Sequence, residues 1–169
     1  IVEDPFDDDY KAHENTQVKV DLRHYFTPVK NQGSMGACSA FAMVGIYEYI
    51  LKRDGDGESD LSEYFVYYNV RKRKGKEHED TSSSMHDIIV TMGSEGVCTE
   101  PLCPYSDSDF FVPSDEAYAD GAGRRVLKAL NVKPTVDDIK SAVADGYPVA
   151  VSLRIFDSFT PRNGFVPRP

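Results

Sequence analysis

Apolar residues recur at three- and four-residue intervals in several stretches of the chain. Phe41, Val44, Tyr47, Ile50 and Leu51 form one such face, predicting a helix that starts near Ser39 and is ended by Gly55 and Gly57. That helix carries Cys38 at its amino end. A second helix is predicted from about Ser62, with Phe65, Tyr68 and Leu61 on its buried side. A third follows the Thr81–Ser84 run, where a serine caps the free N–H groups and Met85, Ile88, Ile89 and Met92 make the apolar stripe; Gly93 and Gly96 close it. For Met85 and the tyrosine-rich stretch, packing in the core is the plainest role.

The pattern changes after Pro104. Residues Tyr105 to Ala122 are rich in Asp, Ser and Pro and read as a loop and a boundary. Beyond it, Arg125–Val132 alternates as a strand does, and Thr135–Ala144 reads as a capped helix with Asp138 three positions after Thr135. Val149, Val151, Leu153 and Ile155 then alternate as a second strand. The first residues, Ile1 to Lys19, are acidic, lack apolar periodicity and read as an extended lead-in; the last, Thr160 to Pro169, read as a loop. The expected organisation is a lead-in over 1–19, a helical part over 20–104 holding Cys38, and a linker with the start of a strand-rich part over 105–169.

Composition narrows the chemistry. Of 169 residues, 40% are hydrophobic, including 10 Tyr and 9 Phe, enough to build a core. The net charge of −9 argues against binding nucleic acid or anionic lipid, which requires a surplus of Lys and Arg. The one basic run, Arg71–Lys74 with Lys76, is followed at once by Glu77, Glu79 and Asp80 and reads as a solvated loop. No stretch has the roughly 18 apolar residues that a membrane helix needs. Neither a zinc-ligand spacing nor a phosphate-binding glycine loop is present, so no metal and no cofactor is implied. Cys98 and Cys103 are near enough in sequence to bridge, but spacing alone does not fix the geometry a disulfide requires.

The segment from Pro28 to Phe41 holds the chemistry. A thiol attacks as its thiolate, and the dipole and free N–H groups of a helix amino end favour an anion there. Gly33 and Gly36 allow a tight turn and a close approach of the backbone to a ligand. Gln32 offers an amide N–H which, with the Cys38 backbone N–H, could hold a developing oxyanion. A free cysteine by itself is most often a small buried hydrophobe. Within this segment, the nucleophile is the better reading.

The stretch Val20-Asp21-Leu22-Arg23 through Phe41 resembles the start of a mature papain-like, cathepsin-type cysteine peptidase. The likeness continues in Leu61-Ser62-Glu63, in Gly96-Val97 leading to Pro104-Tyr105, and in Tyr147–Val151. It implies an α+β, two-lobed papain-like fold, with Cys38 as nucleophile and Gln32 as oxyanion donor. It further implies that Gly36, Ser83 and Met85 meet the substrate, Met85 near the pocket for the second residue before the cut. Serines at 82 to 84 stand where the family has paired glycines, Met35 stands for its first signature cysteine, and Ser39 for a bulky aromatic. These departures suggest a divergent branch closer to bacterial-type members.

The family's His and Asn follow the nucleophile by roughly 130–150 residues, at or beyond Pro169. None of His13, His24, His78 and His86 occupies a motif position. The expectation is therefore a peptide or protein substrate, with the missing His and Asn supplied by a second chain from a processed precursor or by a missing C-terminal part. The alternatives are a transpeptidase or ligase that uses the same thiol, and an inactive peptide-binding relic. The resemblance also implies an extracytoplasmic, secreted or lysosome-like compartment.

Overall fold

The structure is a computed structural model that describes residues 9–12 and 19–156. The rest of the lead-in, His13 among it, and the Thr160–Pro169 loop lie outside the described residues. A 3-10 turn at Arg23–Tyr25 precedes five α-helices: α1 (Cys38–Asp54), α2 (Glu63–Lys72), α3 (Met85–Ser94), α4 (Asp115–Gly121) and α5 (Val136–Ala144).

Local chemistry explains where the helices begin and end. Ser62, Ser84 and Thr135 cap α2, α3 and α5 by accepting from the N–H groups of Phe65, Asp87 and Asp138. Gly55 ends α1 in the left-handed conformation at φ +97°. Gly96 turns the chain after α3, and a side chain there would meet the Gly121 carbonyl oxygen at 1.8 Å.

Helices α1, α2 and α3 pack on one another, and α2 lies at the centre, with every residue from Glu63 to Arg71 buried. One core cluster joins Ala40, Val44, Val66, Tyr67, Val70, Ile88 and Met92 from all three helices. Each fully buried Val, Ile or Met side chain among them contributes about 1.5–3 kcal/mol. Met35, in the place of the family's signature cysteine, is only 4% exposed and fills this cluster.

Four expectations need correction. The basic run is not wholly a solvated loop. Arg71 is fully buried in α2, its guanidinium 3.8 Å from the Tyr67 ring centroid and its Nε donating to the Tyr67 carbonyl at 3.0 Å. The stretch from Tyr105 to Ala122 is not all loop, because Ser114 accepts from Ala117 N–H and starts α4.

Neither alternating segment forms a ladder among the described residues. Val126 N–H bonds the Met92 carbonyl at 3.2 Å, while Asn131 makes a single parallel bridge with Asp9, so the two ends of this stretch have unrelated partners and no repeated register develops. No β-bridge involves Val149–Phe156 among the described residues, and Val151, Leu153 and Ile155 are exposed. Alternation sets faces; a strand also needs a neighbour to pair with.

The first described residues meet the segment around α5. Tyr10 N–H bonds the Asn131 carbonyl at 3.0 Å, and its hydroxyl contacts Ser141 of α5 at 2.9 Å. The far end of α1 is tied to the same region, since Tyr49 and Arg53 both donate to the Gly146 carbonyl, at 2.9 and 3.0 Å.

Candidate active site

Cys38 is the first residue of α1 and is exposed, while Ala37 before it and Ala40 after it are fully buried. Ala37 at the cap offers no side-chain acceptor, so none of the first-turn N–H groups is capped from there. The first-turn donors are thus left without a side-chain cap at the helix end that carries the thiol.

The loop before the helix is tied down residue by residue. Gly33 has φ +61°, a left-handed turn that a side chain rarely adopts. The Gln32 carboxamide donates one Nε2 hydrogen to the Met35 carbonyl at 2.8 Å, which fixes its plane and leaves its second hydrogen for another acceptor. The Tyr105 hydroxyl donates to the Gln32 carbonyl at 2.7 Å, and its ring meets Phe41 of α1 edge-on at 4.7 Å. Burial pushes the Tyr105 phenol up to about 12, so it stays a donor through the neutral range.

Asp80 holds the loop from the other side. It accepts from Gly36 N–H at 2.9 Å and from the Tyr67 hydroxyl of α2. The Tyr67 bond, then the Gly36 bond, keep its carboxyl below the usual carboxylate range, whereas burial drives the Tyr67 phenol well above its own. Ser39, where the family has an aromatic, is buried and donates to the Ser83 carbonyl at 2.8 Å, drawing the 81–84 segment against the start of α1.

Gln32, Gly36 and Ser83 therefore gather around the start of the helix that carries Cys38. Ser83 does so with its carbonyl already bonded. Met85 follows on the first turn of α3 and lines an apolar cavity of about 680 Å³ with Met43, Tyr47, Ile50, Ile89 and Met92. His24, His78 and His86 are exposed; His24 Nδ1 donates to the Asp21 carbonyl at 3.1 Å.

One charged cluster was not foreseen. Lys30, two residues before Gln32, lies 2.8 Å from Glu48 of α1, 2.9 Å from Glu63 of α2 and 2.7 Å from Asp60, and donates to the Leu61 carbonyl at 3.0 Å. Burial opposes its charge, but the three carboxylates outweigh burial and hold the ammonium well above its ordinary value. For Glu63 the balance goes the other way: burial exceeds the pull of Lys30 and pushes its carboxyl up to about 7. Three carboxyls share one ammonium, so one of them retains its proton most easily. The signal was Glu48, a charge set within the apolar stripe of α1.

Residues 16–164 match the family described as papain family cysteine protease. The chain belongs to that family. It is 30% identical over 139 residues to an uncharacterized peptidase C1-like protein of Acanthamoeba polyphaga mimivirus, covering 76% of this chain and 45% of that protein. It is likewise 30% identical over 129 residues to cathepsin K of Gallus gallus, covering 76% of this chain and 37% of the relative.

Among solved structures, xylellain, a cysteine protease from Xylella fastidiosa, superposes with a TM-score of 0.75 at 28% identity, over 83% of this chain and 59% of that one. A digestive procathepsin L 3 of Tenebrio molitor, at 20% identity and a TM-score of 0.75, shares the fold over 94% of this chain and 51% of its own. The α+β papain-like fold stands on these likenesses, and the described residues supply its helical lobe. The chain spans less than half the length of the curated relatives it matches.

Proposed function

We propose that this chain carries the nucleophilic half of a cysteine peptidase. The Cys38 thiolate attacks the carbonyl carbon of a peptide bond. The second Gln32 Nε2 hydrogen and the Cys38 backbone N–H receive the oxyanion. An imidazole takes the thiol proton and passes it to the leaving amine, and water then hydrolyses the thioester. The carrying observation is an exposed Cys38 at an uncapped helix start, preceded by a loop in which the Gln32 carboxamide is fixed by the Met35 carbonyl.

In this reading residues 20–104 are the left lobe and 105–169 open the right lobe. Gly36, Ser83 and Met85 border the cleft that takes an extended peptide. The His and Asn belong to the part of the papain fold these residues do not span, on a longer chain or on a second chain cut from the same precursor. The acidic composition favours neither a nucleic-acid nor a membrane partner.

The test is hydrolysis of fluorogenic peptides by the full-length protein, with Cys38→Ala beside it, together with the rate of iodoacetamide labelling at each cysteine. Activity that vanishes in Cys38→Ala, with fast labelling confined to Cys38, supports the assignment. Activity that survives that change refutes it. An inactive relic would leave the peptides uncut and label Cys38 no faster than a free thiol in solution such as glutathione, and product analysis with an added amine separates hydrolysis from ligation.

A further inference from the structure

Cys98 and Cys103 take no part in the reaction proposed above. Both are free thiols, fully buried in one apolar cluster with Tyr64, Phe65 and Tyr68. Ser62 holds the backbone of both: its N–H donates to the Cys98 carbonyl at 2.9 Å and its hydroxyl to the Cys103 carbonyl at 2.5 Å. Between them lies only Thr99 and the 3-10 turn Glu100–Leu102, closed by Cys103 N–H on the Glu100 carbonyl at 3.1 Å. The turn and Ser62 thus hold the backbones of both cysteines at the edge of the same cluster.

We infer that Cys98 and Cys103 are a two-electron dithiol–disulfide couple that clamps the 98–103 turn when oxidised. The oxidant is a small or protein disulfide. The Cys103 thiolate attacks one of its sulfurs and expels the first thiol; the Cys98 thiolate, its proton lost to solvent, then attacks the Cys103 sulfur of the mixed disulfide and expels the second. Two protein thiols are oxidised and one external disulfide is reduced to two thiols. The order follows from the environment: the Cys98 thiol favours the Cys103 thiolate, while Cys103 and burial disfavour the anion at Cys98.

The bond would act on the site loop. Glu100 accepts the Tyr105 N–H at 2.6 Å, and Tyr105 in turn holds the Gln32 carbonyl. A covalent link from 98 to 103 fixes the turn from which Tyr105 reaches the loop.

The experiment equilibrates the native full-length protein in glutathione buffers of graded potential, quenches with acid, alkylates after denaturation and maps tryptic peptides. Cys98 and Cys103 fall in one peptide, 77–124, and Cys38 in another. The expected result is a reversible transition in which peptide 77–124 escapes alkylation and is lighter by two hydrogen atoms, while Cys38 stays outside the pair. Under oxidising buffer the oxidised form should also unfold at higher temperature than the reduced one. Double alkylation of 77–124 at every potential would overturn the inference, as would stable glutathione adducts or a bridge to Cys38. So would closure that appears only after the protein has been unfolded.

Discussion

The Tyr105 hydroxyl donates to the Gln32 carbonyl at 2.7 Å across 73 positions of sequence. The loop proposed to hold the oxyanion is therefore positioned by a residue beyond α3 as well as by its own neighbours. Tyr105→Phe keeps the ring against Phe41 and removes only the hydroxyl. The expected cost is about 1 kcal/mol of stability and about a tenfold fall in kcat/KM, most of it in kcat. Steady-state kinetics and a denaturation curve on the same sample check both.

Asp80 ties Gly36 to Tyr67, and its carboxyl lies below the usual range. Its contribution is thus full above the pKa of an unfolded aspartate, about 4, and disappears as pH falls through the lower folded value. Asp80→Asn should shrink the acid-side loss of stability without moving the alkaline limb. Unfolding midpoints measured at stepped pH, from about 5 down to about 3, decide this. An unchanged acid limb counts against the role of Asp80.

Lys30 faces Glu48 and Glu63, both buried. Lys30→Met strands these carboxyls without a counter-ion and should cost about 3–5 kcal/mol. Glu63, pushed up to about 7, binds a proton in the folded state that it has lost when unfolded. Stability then falls as pH rises from about 4.3 towards that value and levels off above it. Glu63→Gln should flatten this slope. Urea titrations over that interval, wild type against variant, read the difference.

At Gly33 a side chain would meet Asp107 Oδ2 at 2.0 Å, and φ is +61°. Asp107 can swing aside, but the backbone cannot relax so easily. Gly33→Ala should cost about 1–2 kcal/mol and lower kcat, while Asp107→Ala together with it should recover only part of the loss. Thermal midpoints of the single and double variants separate the clash from the backbone strain.

Much of the helical framework could be read because its signals are local: Ser62, Ser84 and Thr135 sit where the apolar spacing begins, and Gly55 where it ends. The position of Cys38 at a helix start was legible for the same reason, one helix start coinciding with one glycine-rich turn. Helix α4 escaped notice because only seven residues follow Ser114, too few for a periodicity to emerge from an Asp- and Ser-rich background. The alternation at Arg125–Val132 misled because pairing is a property of two segments, and Met92 and Asp9 turned out to be the partners. The Lys30 cluster joins positions 30, 48, 60 and 63 through space, which no single periodicity reports.

Met85 stands at once on the edge proposed to meet substrate and in the wall of the apolar cavity that α1 and α3 form with residues 125–132 and 147–150. Selectivity and inter-segment fit are therefore inherited together: a relative that drifts to a smaller residue here must adjust Ile89 or Met43 in step. Attempts to re-tune cleavage preference at this single position would loosen the scaffold as they widen the pocket.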